Sequence, residues 1–237
     1  VTLGQSPGDY VWKFHREGLL PVWRRAVLRS NWVEYVPYPR LPVRAAGTDI
    51  SPLSGGMVTN HDISIQIPAG AVSQESPAYL TPLDGQSLPG LLPLGWSPLQ
   101  AFWLEFASLS PTPLAATLTP WGAFNANEGG AVVRFDEDRL GWEVVQLFAS
   151  SSTNPITATL PGPGAYAVVV PDTGTTAPPA PQLGTLLAAA AAVFPDNESL
   201  SAGGSVTPPA RPASLVSEEV TATAIAHITN ASGPLPS

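Results

Sequence analysis

The strongest constraint in this chain is a five-residue alternation, Ile63-Ser64-Ile65-Gln66-Ile67, entered through Gly55-Gly56 and closed by Pro68-Ala69-Gly70-Ala71. Successive side chains of an extended segment point to opposite faces. The three isoleucines therefore belong to one face of a β-strand, and Ser64 and Gln66 to the other. Pro68 stops strand pairing, and Gly70 supplies the positive φ of a turn. The whole segment 55–72 reads as one buried-face strand with its start and stop signals attached.

Composition extends that reading to the rest of the chain. The 28 prolines and 21 glycines make about a fifth of 237 residues, and only 12% are charged. Proline removes a backbone donor and disrupts helix interiors, so long amphipathic helices are hard to place. Aromatic and β-branched residues, seven tryptophans among them, are plentiful enough to pack a core. The expected fold class is all-β, in tandem β-sandwich modules with a Pro/Ala/Thr-rich linker.

Further strands are expected at Tyr10–Phe14, Val22–Arg29, Trp32–Tyr38, Ala78–Leu83, Leu99–Phe106 and Leu114–Thr119. Ala131–Phe135 and Trp142–Gln146, on either side of Asp136-Glu137-Asp138, form the clearest hairpin. Ile156–Leu160 and Tyr166–Val170 finish the unit, and strands at this spacing indicate a sandwich. The apolar loop 88–98 is expected to lie over a sheet end with Trp96 tucked in. Residues 172–181 read as an extended, solvated linker. Leu186–Phe194, with its run of alanines, suits two turns of helix or an Ala-rich strand. Val216–Ile228 alternates again, as the opening strand of a further module would.

Charge is unevenly distributed. Residues 1–44 hold seven Lys/Arg against three Asp/Glu, a balance of +4, and the remainder balances at −12, together the net −8. The asymmetry suggests two units, or an N-terminal strip that packs against an acidic neighbour. Arg24, Arg25, Arg29, Arg40 and Arg44 stand among Trp and Tyr, as in a single-strand binder. The acidic remainder opposes nucleic-acid binding, which is not expected. The absence of cysteine excludes disulfides and thiolate metal sites. No apolar run reaches the roughly 18 residues of a membrane span.

Two resemblances follow from particular residues. Pro7-Gly8-Asp9-Tyr10, then Glu17-Gly18-Leu19-Leu20-Pro21-Val22 and a basic strand, resembles the last half of a carboxypeptidase regulatory-like domain, a small transthyretin-like β-sandwich. Gly55, Gly56, Ile65, Ile67, Pro68, Gly70 and Ala71 resemble the opening of the ZU-type domain found in ankyrins, zonula-occludens proteins, netrin receptors and bacterial surface proteins. These resemblances imply four segments: a carboxypeptidase-regulatory-like part over 1–46, a ZU-like sandwich over 47–171, a linker over 172–215, and the first strand of a further module over 216–237. Their order is similar to the region upstream of the repeats in bacterial YD-repeat (rearrangement-hotspot) proteins. The chain is then expected to be a piece of a larger polypeptide.

Candidate sites are few. Asp136 and Asp138 are the calcium candidates, although an EF-type loop needs a central Gly and a distant Glu, and solvated charge is ordinary at a hairpin tip. His15, His61 and His227 carry no shared ligand motif and read as surface residues. Some ZU-type domains cleave themselves at His-Phe-Ser. The nearest sequences here, Phe106-Ala107-Ser108 and Phe148-Ala149-Ser150, lack the histidine. No Gly-x-Ser-x-Gly elbow is present for a hydrolase. Trp96 and Trp121 are the candidates for a glycan-stacking platform, although strand tryptophans more often fill cores.

The expected function is a non-enzymatic structural or interaction segment of a secreted or surface-exposed bacterial protein. Its expected partners are other domains of the same polypeptide, other subunits or a glycan, with no cofactor. An adhesin and a self-cleaving processing domain are the competing classes.

Overall fold

The structure, a computed structural model, describes residues 7–30, 39–106, 113–120, 129–149, 155–172 and 177–190. The described residues form an all-β protein of twelve strands, without a helix. The strands are β1 (Gly8–Phe14), β2 (Val22–Leu28), β3 (Gly47–Ile50), β4 (Gly56–Asn60), β5 (Ile63–Ile67), β6 (Ser76–Leu83), β7 (Trp96–Glu105), β8 (Leu114–Leu118), β9 (Gly130–Asp136), β10 (Gly141–Phe148), β11 (Ile156–Leu160) and β12 (Gly164–Pro171). They pair antiparallel throughout. A six-stranded sheet runs β10-β9-β12-β7-β6-β3, a four-stranded sheet runs β11-β8-β5-β4, and β1 and β2 make a separate ribbon.

The isoleucine alternation performs as its period dictates. Ile63, Ile65 and Ile67 are buried, and Gln66 is exposed. The entry is set by Gly55, at φ +69, where a Cβ would lie 2.2 Å from the Ile67 carbonyl oxygen. Only glycine lets the two backbones approach so closely. Gly70 has φ +77 and donates its N–H to the Pro52 carbonyl at 2.8 Å, closing the exit of β5 onto the same turn. β4, which carries no comparable alternation, forms because it pairs with β5 in register from Gly56–Ile67 to Asn60–Ile63.

The isoleucines pack between the two large sheets. From the four-stranded sheet come Leu114, Ala116, Leu118, Ile156, Ala158 and Leu160; from the six-stranded sheet come Leu80, Phe102, Leu104, Val132, Tyr166 and Val168. Phe102 and Tyr166 stack across neighbouring strands at 5.5 Å. One corner of this sandwich is closed by a side chain. A bulge between Val144 and Gln146 turns Gln146 towards β11, where its amide donates to the Thr157 carbonyl at 2.8 Å and accepts from the Thr159 N–H at 3.1 Å. Gln146 thus occupies the outer edge of β11 as a neighbouring strand would.

The six-stranded sheet is covered on its other face as well. Ala165 to Val169 of β12 are buried without interruption, the pattern of a strand dry on both sides. A second core of Trp96, Ala101, Trp103, Ala131, Val133, Phe135, Trp142 and Val144 lies there, beneath Leu20 and Trp23 of the ribbon, Leu88 of the β6–β7 loop and Leu187 beyond β12.

Several expectations are refined at this level. Of the stretch read as linker, residues 177–190 hold a docked segment: Pro178, Leu187 and Ala190 are buried. The reason is local: apolar Leu187 and Ala190 find an uncovered sheet face within reach, which composition does not reveal. Residues 186–190 are not helical. Trp32–Tyr38, residues 191–194 and the further module over 216–237 lie outside the described residues.

Candidate functional site

The covered outer face of the six-stranded sheet is the most elaborately built part of the molecule. Trp23 of β2 stacks on Trp103 of β7 with ring centroids 6.3 Å apart and planes 10° off parallel. Phe135 meets Trp23 at 5.5 Å and the edge of Trp142 at 5.4 Å. The indole of Trp142 donates to the Gly90 carbonyl at 3.1 Å, and that of Trp96 to the Ala188 carbonyl at 2.9 Å. Trp96 and Trp142 therefore each bring apolar area and a polar tip that ties down one covering segment.

Arg24 is the least expected member of this layer. It is only 2% exposed and, among the described residues, its hydrogen bonds go to carbonyls and not to a carboxylate. Its guanidinium donates to the carbonyls of Gln86 at 2.7 Å, Trp23 at 2.8 Å and Leu88 at 3.0 Å. Burial lowers its pKa from the ordinary arginine value. The planar fork of N–H donors lets one guanidinium satisfy several carbonyls of a loop that has no sheet partner. The Trp23 N–H donates to Pro89, so ribbon and loop are joined by backbone as well as side chain.

Of the five arginines that stand among Trp and Tyr, four are engaged, and Arg29 is exposed. Arg24 is internal, Arg25 pairs with Asp9 at 2.8 Å, Arg40 with Asp84 at 2.9 Å, and Arg44 with Glu105 at 2.7 Å. Arg40 and Arg44 find their carboxylates in the acidic remainder of the chain.

At one end of the same sheet lies an open cleft of about 600 Å³, lined by Glu105, Arg134, Asp136, Glu143 and Gly164 among others. Arg134 donates to the Pro163 carbonyl at 2.8 Å, and the neighbouring Tyr166 hydroxyl donates to the Gly162 carbonyl at 2.6 Å. Burial pushes the Tyr166 phenol up to about 12, against the opposing charge of Arg134. Asp136, the calcium candidate, accepts from the N–H groups of Asp138 and Arg139 at 2.9 Å and pairs with the Arg139 guanidinium, which also reaches Glu143 at 3.0 Å. Hydrogen bonds from the Arg139 backbone and side chain hold its carboxyl below the usual range. Both Asp136 oxygens are engaged and a guanidinium stands beside them, so the residue closes a turn rather than opening a cation site. Asp138 is exposed on the cleft rim. Among the described residues, no three His, Cys, Asp or Glu side chains stand together as a metal would require.

Trp96 is 6% exposed with its N–H spent on Ala188, so it offers no open ring to a sugar. Trp121 lies outside the described residues, as do His227, Ser108 and Ser150. His15 and His61 are exposed. The clamp formed by Arg24 is the feature that sequence reasoning missed: Arg24 and Arg25 stand side by side in β2, and nothing in the sequence says which of them turns inward. Comparison of the chain with protein-family models, with curated proteins and with solved structures finds no match.

Proposed function

We propose that this chain is a structural and interaction segment of a larger secreted or surface-exposed bacterial protein, in which a ZU-like sandwich sets the positions of the segments that flank it. The observation that carries this reading is the outer face of the six-stranded sheet. The ribbon preceding the sandwich and the segment following it are both packed on that one face, through Trp23 and Leu20 on one side and Leu187 on the other. Segments anchored in a shared core cannot swing independently, which is what a spacer or docking unit beside a larger shell, such as one of YD repeats, requires.

The reading is tested on the parent polypeptide by single-particle imaging, together with external protease treatment of intact cells. The expected result is a module held at one fixed position against its neighbours and cleaved from outside. A freely tumbling module, or one protected in intact cells and cut only after lysis, overturns it.

A further inference from the structure

The segment that follows β12 does more than lie on the sheet. Residues 184–187 run antiparallel along the outer edge of β10: Val144 N–H donates to Thr185 at 2.9 Å, Gly184 N–H to Val144 at 2.9 Å, and Leu187 N–H to Trp142 at 2.7 Å, around a bridge between Glu143 and Leu186. Further along, Ala190 N–H donates to Leu94 at 2.7 Å, and the Trp96 indole holds Ala188. Gly95, at φ +92, leaves room for this course; a Cβ there would stand 2.7 Å from the Ala190 methyl. The groove is thus shaped for a segment that turns at residues 183–185, bridges β10 at Leu186 and runs on with apolar side chains at positions 187 and 190.

The occupant's grip is mostly backbone. Leu187 and Ala190 are buried, but Leu183 is 62% and Leu186 36% exposed, and Gln182, Gly184, Thr185, Ala188 and Ala189 are exposed as well. A strand held by main-chain hydrogen bonds and two side-chain anchors is the arrangement of β-strand addition, in which an edge accepts a strand from any chain that presents the pattern. Because the groove fits this sequence, the chain best able to replace it is an identical one, and a reciprocal exchange would preserve every contact.

We propose that the outer edge of β10, with the groove beneath Leu94 and Trp96, is a strand-acceptor site that takes residues 182–190 of a second copy of this chain, and that the same residues fill it in cis in the single chain. The proposal stands on this geometry and not on the spacer reading.

Two measurements test it. In the first, a fluorescein-labelled peptide of residues 177–190 is titrated into the full chain carrying Gly184→Pro, which removes a strap N–H and a positive-φ glycine without touching either core. Binding at least ten-fold tighter than to the unaltered chain is expected, because the cis strap no longer competes. It should be lost when the peptide carries Leu187→Asp and Ala190→Asp. Leu187→Asp in the full chain serves as the second displaced-strap variant. Absence of peptide binding to either variant, with circular dichroism showing the sheet intact, overturns the acceptor site.

In the second, Glu143→Cys and Leu186→Cys are introduced together into this cysteine-free chain and oxidised across a range of protein concentrations. Disulfide-linked dimer is expected to rise at least several-fold from dilute to concentrated samples that have been warmed and cooled. Only intramolecular cross-links at every concentration would overturn the second copy as occupant, and no cross-link at all would overturn the cis pairing.

Discussion

The centre of the six-stranded sheet, along β12, is dry on both faces, but the two faces are covered in different ways. The inner face meets another sheet, and its contacts are mostly aliphatic side chains delivered by strands at a period of two, such as Ile65, Leu104 and Leu118, with the Phe102–Tyr166 stack among them. The outer face meets pieces of ribbon, loop and strap, and its contacts are dominated by rings: Trp23, Trp96, Trp103, Phe135 and Trp142. A sheet brings its own satisfied backbone into the interface. Loops and straps do not, so their carbonyls must find donors inside the layer. Arg24 and the indole N–H groups of Trp96 and Trp142 are those donors. Aromatic and guanidinium chemistry is concentrated where irregular backbone is buried.

The contrast can be broken most severely from the inner side. Ile65→Asp places a charge with no partner between two sheets, and the expected outcome is loss of the cooperative thermal transition. A folded variant with a normal melting curve would mean that the sandwich is not the stability-determining layer. On the outer side, Trp103→Ala should cost about 3–5 kcal/mol in a denaturant titration, since a buried ring that contacts Trp23 is removed. A loss close to zero would show that the ribbon lifts away at little cost.

A smaller change separates ring packing from backbone satisfaction. Arg24→Met keeps apolar volume but takes the guanidinium from the Leu88 carbonyl and leaves the Gln86 carbonyl only the long bond from the Arg40 N–H at 3.4 Å, at about 1–3 kcal/mol. Amide exchange should quicken in the β6–β7 loop and the adjoining part of β2 while the four-stranded sheet stays protected. Uniform quickening across both sheets would erase the distinction between the two faces.

The mildest test uses pH. Tyr166, whose ring is in the inner core, has its phenol raised from about 10 to about 12 by burial. Its contribution is complete below the unfolded value near 10 and is lost as pH rises towards 12, because the unfolded chain then releases a proton that the folded chain retains. Alkaline destabilisation should therefore be shallower in Tyr166→Phe, at the expense of about 1 kcal/mol at neutral pH for the lost bond to Gly162. Identical slopes above pH 10 for the two proteins would mean that the phenol is not sequestered.

The strands that face the inner core were largely legible in the chain itself. Ile63–Ile67 and Ile156–Leu160 carry an alternation that already states which side chains are buried, because a period of two is a property of extended backbone and needs no partner to be read. The hairpin of β9 and β10 was equally plain from its polar turn between two apolar runs. Tertiary structure alone decided the rest. It paired β4, which lacks alternation, and aimed Gln146 at β11 through a bulge.

It also sent Arg24 inward, since an arginine among aromatics looks the same in sequence whether it faces solvent or a ring of carbonyls. Tertiary structure turned part of a proline- and alanine-rich tail into an added strand, because the two residues that hold it, Leu187 and Ala190, acquire meaning only once Gly95 and the edge of β10 are in place. Local periodicity reports on backbone shape, whereas the covering of a sheet face depends on which distant segments can reach it. That dependence is why the inner core of this protein could be read from its sequence, whereas of the outer one the loop that buries Trp96 was legible and its coverage by Arg24 and Leu187 was not.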